Sequence, residues 1–267
     1  MSILDQIIAD KKVEVEQRKS LYPVKLMEQS TYFSGKAVSL KKYIRREDKV
    51  GIIAEFKRQS PSKGIINASA KVEKTTIGYM QAGASGLSVL TDSKYFGGKN
   101  EDLITARSFN FCPILRKDFI VDEYQIIEAK SIGADVILLI AAALTPEQVK
   151  SLGAFAQSLG LEVLLEVHNK EELERSLNPH IDLLGVNNRN LSTFETTIQT
   201  SKDLAELIPN DFVKVSESGI NDPAVVVDLM SHGFEGFLIG EYFMQKGSPE
   251  KACRDFVKQI KLQSSKV

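Results

Sequence analysis

The chain of 267 residues contains no tryptophan, only two cysteines and only three histidines. Cys112 and Cys253 lie far apart in the sequence, without the spacing of a metal or redox motif. We therefore expect buried free thiols and a reducing compartment. His168, His180 and His232 form no arrangement with serine or cysteine that indicates a catalytic triad, and we assign them no catalytic role.

The sequence also lacks an excess of charge of one sign and a long hydrophobic run. It has 34 lysines and arginines against 35 aspartates and glutamates, so no overall field attracts it to nucleic acid or to an anionic membrane. The longest apolar run, Val136 to Leu144, is about half of what a bilayer span requires, and the first residues lack the apolar core of a signal peptide. We expect a cytoplasmic protein with neither nucleic acid nor membrane as a partner.

What the sequence does contain is a repeated unit of an apolar run, a polar loop and an amphipathic segment. The runs predict strands at Gly51 to Phe56, Gly86 to Leu90, Pro113 to Arg116, Asp135 to Ile140, Glu162 to Glu166, Leu183 to Asn187, Phe212 to Ser216 and Gly236 to Ile239. The amphipathic segments predict helices at Val72 to Ala82, Glu101 to Ser108, Glu123 to Ile132, Pro146 to Leu159, Lys170 to Ser176, Thr197 to Leu207, Pro223 to Ser231 and Pro249 to Leu262. Eight such units favour a closed (β/α)8 TIM barrel, an α/β fold, over an open doubly wound sheet.

The repeat begins about 50 residues into the chain, which sets the expected domain organisation. We predict a single domain over residues 1–267, in which residues 49–267 form the barrel. Residues 1–48 contain helical patterns at 3–18, 24–29 and 40–45 but are too polar to fold alone. We expect this N-terminal extension to pack as extra helices over one end of the barrel.

Charged and amide side chains recur where the predicted strands end, which is where barrel enzymes carry their catalytic groups. These side chains are Glu55 and Lys57, then Arg116, Lys117 and Asp118, then Glu166, then Asn187 and Arg189, and finally Ser216, Glu217 and Ser218. Each alone is compatible with a solvated rim residue. Glu55 and Lys57 are two residues apart and should share one face. Recurrence at the same end of several strands favours one acid–base site, in which opposite charges shift one another's pKa values.

Glycines follow the last two predicted strands, at Gly219 and Gly240. Barrels often bind phosphate here through glycine amides and the amino terminus of a short helix, which we predict at Gly240 to Met244. The alternative is that both glycines only close tight turns. Lys57 and Ser60, in the first loop, are close enough in sequence to add a cation and a hydroxyl to the same anion.

A metal site is the other possible use of Glu55, Glu166 and Glu217. No His-x-His motif or acidic cluster with ligand spacing accompanies them. Positive charge is expected in the same space, from Lys57, Lys117 and Arg189. We therefore expect neither a metal nor a cofactor.

The segment Ile53 to Gly64, with the sequence IAEFKRQSPSKG, resembles the signature of the indole-3-glycerol phosphate synthase family. Further similar segments are Ser88 to Asp92, Leu115 to Phe119, Leu165 to His168, Gly185 to Leu191, Ser216 to Ile220 and Leu238 to Glu241. The resemblance covers nearly the whole chain. It implies decarboxylative ring closure of 1-(2-carboxyphenylamino)-1-deoxyribulose 5-phosphate to indole-3-glycerol phosphate, carbon dioxide and water, as a step of tryptophan biosynthesis.

The resemblance also implies roles for the residues at the strand ends. Lys117 would be the general acid at the ketone, and Glu166 a second acid–base group. Lys57 would contact the substrate carboxylate or act as the acid of dehydration. Glu55 would be the base or would orient the lysines.

By the same resemblance, Asn187 would orient the substrate, and Arg189 would hold its carboxylate or the acid–base network. Glu217 would bind sugar hydroxyls or stabilise an iminium-like intermediate. The phosphate cradle would be Ser218, Gly219, Gly240 and the amide of Glu241. The slot for the anthranilate ring would be Pro61, Leu90, Phe96, Phe119, Ile140 and Leu191.

Three other functions are compatible with parts of this pattern. Phosphoribosylanthranilate isomerase, or another phosphosugar barrel, would need only the phosphate site and would leave the charged strand ends unexplained. A Schiff-base aldolase would use a barrel lysine such as Lys117. A catalytically silent barrel that binds a partner protein would have no use for buried charges, which are costly to desolvate. We expect a monomer that acts on a small phosphorylated molecule.

Overall fold

The computed structural model describes residues 2–190 and 193–264. The strands are β1 (Ile52–Phe56), β2 (Gln59–Ser60), β3 (Gly64–Ile65), β4 (Gly86–Leu90), β5 (Ile114–Lys117), β6 (Val136–Ile140), β7 (Glu162–Val167), β8 (Leu183–Asn187), β9 (Val213–Glu217) and β10 (Gly236–Ile239). All except β2 and β3 form a closed parallel barrel in the order β1-β10-β9-β8-β7-β6-β5-β4. Helices alternate with these strands, so the predicted (β/α)8 barrel is confirmed.

The helices are α1 (Ile3–Leu21), α2 (Val24–Met27), α3 (Leu40–Ile44), α4 (Val72–Gln81), α5 (Asn100–Phe109), α6 (Glu123–Ser131), α7 (Pro146–Ser158), α8 (Lys170–Ser176), α9 (Gln199–Ala205), α10 (Pro223–Ser231), α11 (Glu241–Met244) and α12 (Pro249–Ser264). The short α11 is the predicted extra helix after the last strand. In the described part of the chain, no helix is both long enough and apolar enough to cross a membrane.

Three strands extend one residue further than the sequence pattern indicates, and this bears on which side chains reach the barrel mouth. β5 ends at Lys117, β7 at Val167 and β9 at Glu217, rather than at Arg116, Glu166 and Ser216. Because side chains alternate across a strand, Arg116 lies on the outer face of β5, where its Nη2 is 2.5 Å from Oε2 of Glu128 on α6. The expectation that Arg116 belongs to the charged mouth is wrong.

The first loop contains a hairpin, which the sequence pattern did not predict. β2 and β3 pair antiparallel, with Gln59 opposite Ile65 and Ser60 opposite Gly64. Gly64 has a φ of 65°, a left-handed conformation that glycine adopts without strain. The hairpin holds the predicted phosphate and ring residues Ser60 and Pro61 at the mouth of the barrel.

The N-terminal extension packs against both ends of the barrel, so the expectation that it covers one end is wrong. Helix α3 closes the amino-terminal end, where a Cβ at Gly86 would lie 2.7 Å from Leu40 and one at Gly236 would lie 3.2 Å from Ile44. Both glycines are the first residues of barrel strands. At the opposite end, α1 contributes apolar side chains to the cavity above the strands, namely Ile3, Leu4 and Ile7. Val15 and Met27 of the extension pack instead against Tyr124 of α6.

Helix α1 is fixed to the barrel by a buried lysine. The Nζ atom of Lys11 lies 2.9 Å from Asp92 and 3.0 Å from Asp118, and Glu14 lies 2.8 Å away. Burial alone would lower the pKa of Lys11, but Asp118 and Asp92 outweigh it and raise that pKa. Asp92 also accepts hydrogen bonds from the amides of Tyr95 and Phe96. Lys11 therefore joins α1 to the loops after β4 and β5.

The two cysteines are free and buried, as predicted. Burial raises the pKa of each thiol to about 12, so both are protonated at neutral pH. Neither side chain lines the large cavity, and both pack in the hydrophobic layer between strands and helices.

Replacing Lys11 by methionine should lower the free energy of unfolding by about 3–5 kcal/mol, because two buried carboxylates would lose their counter-charge. Lys12→Met is the matched control, since Lys12 is exposed on the same helix and should change the free energy by no more than about 0.5 kcal/mol. Urea denaturation followed by far-UV circular dichroism measures both. Equal effects of the two substitutions would contradict the anchoring role of Lys11.

Candidate active site

A cavity of about 670 Å³ opens at the carboxyl end of the barrel strands. It contains most of the predicted site residues: Glu55, Lys57, Ser60, Pro61, Phe96, Lys117, Phe119, Ile140, Glu166, Asn187, Arg189, Glu217, Ser218, Gly219, Gly240 and Glu241. Leu90 is buried at the end of β4 and is not among the lining residues, so the predicted ring slot does not include it in this structure. Leu191 lies outside the described residues.

Lys117 lies between two buried carboxylates at the centre of this cavity. Its Nζ atom is 2.9 Å from Oε2 of Glu166 and 3.4 Å from Oε2 of Glu217. Oε1 of Glu166 accepts a hydrogen bond of 3.0 Å from the Asn187 side chain. β5, β7, β8 and β9 each contribute one of these four side chains at or near the strand end. The side chains of Lys117 and Asn187 thus hold the carboxylate of Glu166 from two directions.

The two carboxylates have opposite pKa shifts although both are buried. Burial alone would raise the pKa of Glu166, but the nearby Lys117 ammonium outweighs it and lowers that pKa to about 2. For Glu217, burial prevails over the more distant ammonium, and repulsion from Glu166 and Glu55 adds to it, so the pKa rises to about 7. Lys117 itself has a raised pKa, because the attraction of Glu166 and Glu217 exceeds the cost of burial.

This arrangement supplies a proton donor and an acceptor at the same place. Near neutral pH, Glu166 is ionised, Lys117 is charged and Glu217 is partly protonated. Among the described residues, Oε1 of Glu217 has no hydrogen-bond partner. Gly185 on β8 makes room for it, because a Cβ there would overlap that oxygen. That oxygen is inaccessible to solvent, so it lacks the hydrogen bonds that would stabilise its ionised form.

Glu55 and Lys57 form a second ion pair beside the first, on one face of the chain as their spacing predicts. Nζ of Lys57 lies 2.8 Å from Oε1 of Glu55, and Ser88 donates a hydrogen bond of 3.3 Å to Oε2. A Cβ at Gly240 would overlap the Glu55 carboxylate. Glycine at this position therefore makes room for Glu55, a reason that the sequence pattern alone does not provide.

No group of three or more histidines, cysteines, aspartates or glutamates within residues 2–190 and 193–264 is arranged to hold a metal ion. Glu55, Glu166 and Glu217 have lysines or hydroxyls at their carboxylates instead. This arrangement supports acid–base chemistry by protein side chains.

The loop after β9 contains two consecutive residues in the left-handed backbone conformation, which gives the loop a concave turn. Ser218 has a φ of 69° and Gly219 a φ of 77°. The buried side chain of Asn188 fixes this turn, because its amide donates hydrogen bonds to Oγ of Ser216 and to the carbonyl of Ser218. Helix α11 begins next to it at Glu241, and the first amides of a helix have no partner within the helix. Such backbone N–H groups favour anions.

Arg189 connects three loops at the rim of the cavity. Its guanidinium donates 2.9 Å to Oγ of Ser62 in the hairpin and lies 3.3 Å from the carboxylate of Glu241. Lys63 approaches the same carboxylate at 3.6 Å. The structure thus places Arg189 beside the glycine-rich loops, whereas Lys117 contacts Glu166 and Glu217 deeper in the cavity.

The wall opposite the glycine-rich loops is apolar. The rings of Phe96 and Phe119 pack with their centroids 5.9 Å apart, and Ile140 lines the cavity next to them. These residues follow or end β4, β5 and β6, which lie across the barrel from β9 and β10. An elongated molecule with an aromatic end and an anionic end would fit with its centre over Lys117.

Comparison with known proteins shows the family of this chain. A model of the family described as indole-3-glycerol phosphate synthase matches residues 4–256. Indole-3-glycerol phosphate synthase from Bacteroides thetaiotaomicron is 49% identical over 258 residues, which are 97% of this chain and 98% of that protein. The chain belongs to the indole-3-glycerol phosphate synthase family.

A further relative is the indole-3-glycerol phosphate synthase of Campylobacter fetus, which is 41% identical to this chain over 95% of this chain and 98% of that protein. Among solved structures, 3-hexulose-6-phosphate synthase from Salmonella typhimurium has a TM-score of 0.63 and 11% identity, and covers 80% of this chain and 99% of its own. At that identity the likeness shows the fold alone. Family membership confirms the resemblance seen in the signature segments.

Several residues in or beside the cavity are not indicated by the sequence pattern. His168, which we assigned no catalytic role, lies with Nε2 3.4 Å from Oε1 of Glu166. Its place two residues after Glu166 was the available signal, because alternate residues share a face. The sequence pattern does not indicate Asn188, because its side chain only holds the turn at Ser218 through hydrogen bonds. The three α1 residues were not predictable, because nothing in the pattern indicates where the extension docks.

The raised pKa of Glu217 predicts that its ionisation destabilises the fold. An unfolded glutamate has a pKa of about 4.3, so below about pH 4.3 Glu217 is neutral in both states and its raised pKa contributes its full stabilisation. This contribution is lost as the pH rises through about 7, the pKa of Glu217 in the folded protein. Relative to Glu217→Gln, the wild type should lose about 1–3 kcal/mol of unfolding free energy between pH 5 and pH 8. Urea denaturation at both pH values measures the difference.

The matched control for this measurement is Glu47→Gln, because Glu47 is exposed. Its stability difference from the wild type should not change between the two pH values. If Glu217→Gln behaved in the same way, Glu217 would titrate like an ordinary glutamate, and the assignment of a neutral carboxyl to this position would be wrong.

Proposed function

We propose that this protein converts 1-(2-carboxyphenylamino)-1-deoxyribulose 5-phosphate to indole-3-glycerol phosphate, carbon dioxide and water, without a metal or cofactor. The observation that carries the proposal is the position of Lys117, whose Nζ lies between Glu166 and Glu217. Lys117, Glu166 and Glu217 lie between the apolar wall of the cavity and the two glycine-rich loops after β9 and β10. The substrate has the matching order of an aromatic ring, a ketone and a phosphate.

The first step is ring closure at the ketone. The carboxylate-bearing ring carbon forms a bond to the ketone carbon, and the electrons of the C=O bond move to the oxygen. That oxygen becomes strongly basic and takes a proton from Lys117, which is charged because its pKa is raised. Glu166, fixed by Lys117 and Asn187, keeps the ammonium directed into the cavity.

Loss of carbon dioxide then restores the aromatic ring, because the electrons of the bond to the carboxylate return to it. The hydroxyl formed from the ketone leaves as water, which needs one proton, and the neighbouring methylene carbon loses one. Glu166, ionised, is placed to accept a proton, and Glu217, partly protonated, to donate one. The Glu55–Lys57 pair provides an alternative acid and base within the same cavity.

The proposed orientation places the phosphate at the Ser218–Gly219 turn and at the start of α11. Ser60 is buried in the hairpin on the same side. Arg189 and Lys63 add positive charge at the rim, where Glu241 holds them in the free protein. The anthranilate ring lies against Pro61, Phe96, Phe119 and Ile140, where an aromatic surface can leave water.

The cytoplasmic location and the monomeric state inferred from the sequence stay predictions. Buried, protonated free thiols are compatible with a reducing compartment. A small phosphorylated substrate is proposed to be the partner of this site.

Purified protein mixed with the substrate in excess chelator should produce indole fluorescence, which is read without a tryptophan background because the chain has no tryptophan. Lys117→Met and Glu166→Gln should each lower kcat by about 10²–10⁴-fold, because each removes a general acid or base. Lys150→Met is the control, since Lys150 is exposed on α7. A flat trace from folded wild-type protein would refute the proposed activity and leave the isomerase and the silent barrel to be tested.

Gly219→Ala should raise KM by about tenfold or more and weaken competitive inhibition by inorganic phosphate. The added Cβ would meet Thr196 at 2.7 Å, and the φ of 77° is unfavourable for alanine. Gly160→Ala is the matched control, because Gly160 has a φ of 76°, lies after α7 and has open space around its Cβ position. Equal kinetic effects of the two variants would show that backbone strain alone, and not an anion subsite, explains the change.

A further inference from the structure

His168 is a buried titratable side chain beside the acid–base groups, and the mechanism above does not use it. It follows β7 directly and lies two residues after Glu166, so both side chains face the same way. Only 10% of its side chain is exposed. An imidazole in such a place requires a partner for each ring nitrogen, or it loses hydrogen bonds made in water.

One ring nitrogen has a well-defined partner on helix α8. Nδ1 of His168 lies 3.1 Å from Oε2 of Glu172, and the same oxygen accepts a hydrogen bond of 2.8 Å from the His168 backbone amide. The other oxygen of Glu172 accepts from the Asn169 side chain at 3.0 Å. Because a carboxylate only accepts, the proton on this side of the ring belongs to Nδ1.

The second ring nitrogen faces the catalytic carboxylate. Nε2 lies 3.4 Å from Oε1 of Glu166, and among the described residues it has no hydrogen-bond partner. With Nδ1 protonated, a neutral ring would direct the Nε2 lone pair at a carboxylate oxygen, which is repulsive. A second proton converts that nitrogen into a donor, and catalytic hydrogen bonds are commonly long in structures without substrate.

The charges around His168 favour the doubly protonated ring. Burial alone would lower the pKa of His168, but Glu172, Glu166 and Glu217 outweigh it and raise that pKa above the ordinary value. Lys117 lies on the far side of Glu166. Arg175 is a cation on α8, the helix that also carries Glu172, and its guanidinium donates a hydrogen bond to the carbonyl of Ala141.

We propose that His168 is a positioning residue whose imidazolium, held by Glu172, donates to Oε1 of Glu166 and keeps that carboxylate ionised and aligned. This inference rests on the proposed ring closure. When Lys117 gives its proton to the substrate, Glu166 loses its nearest positive charge. The imidazolium remains and lets Glu166 continue to act as a base.

His168→Gln tests the charge, because the glutamine amide can donate at the position of Nε2 but cannot become a cation. The ratio of wild-type to variant kcat should be about tenfold at pH 6, the effect of one charge-assisted hydrogen bond. It should approach one at pH 9, because the wild-type ring is neutral above its pKa. KM should change little, and His168→Leu should have a lower kcat than His168→Gln at every pH.

The matched control is His232→Gln, since His232 lies on the surface after α10, and its kcat ratio should stay near one at all pH values. A ratio for His168→Gln that does not change with pH would overturn the inference. Wild-type protein that forms no indole product would instead refute the proposed function, and with it the catalytic part of this inference.

Nuclear magnetic resonance gives a readout that does not depend on turnover. The chain has three histidines, so the ring signals of ¹⁵N-labelled protein can be assigned by the His168→Gln and His232→Gln variants. His168 should titrate above the ordinary histidine pKa of about 6.5, and Glu172→Gln should lower that pKa. Titration at or below 6.5 in the wild type would overturn the inference, whatever the activity of the variants.

Discussion

Two buried carboxylates share one ammonium at the mouth of this barrel, and the rest of the site depends on that contact. Lys117 is closer to Glu166 than to Glu217, so one carboxylate is stabilised as an anion and the other is not. Glu55, also buried, has its own cation in Lys57. Three carboxylates and two ammonium groups leave an excess negative charge, and the neutral form of Glu217 relieves it at low cost. Acid and base thus coexist in one cavity.

The barrel makes this arrangement possible because parallel strands bring their carboxyl ends together. Lys117, Glu166 and Glu217 come from segments far apart in the chain, and each is held by a strand whose other side chains are buried, apart from Glu162 at the start of β7. Two glycines lie where these carboxylates approach the backbone most closely. A Cβ at Gly185 would overlap Glu217, and a Cβ at Gly240 would overlap Glu55. Packing, rather than loop flexibility, fixes the relative positions of the charged groups.

The N-terminal extension links stability to the site. Lys11 joins α1 to Asp92 and Asp118, and these aspartates belong to the loops that carry Phe96 and Phe119. The same helix contributes apolar side chains to the cavity. Helix α3 meanwhile closes the opposite end of the barrel, so the extension covers surfaces that the eight repeats leave open.

The sequence by itself determined the barrel, because eight apolar runs at regular spacing have few other ways to bury their strands. It also indicated Glu55, Lys57, Lys117, Glu166 and Glu217 as candidate site residues, since strand-end position and alternation require only local pattern and a family signature. The tertiary structure alone decided which carboxylate pairs with Lys117 and which is left neutral, because a pKa depends on distances between residues on different strands. It likewise decided that Arg116 faces α6, that α1 reaches the cavity and that His168 meets Glu166. These outcomes depend on one-residue shifts of strand ends and on docking between distant segments, which periodicity does not encode.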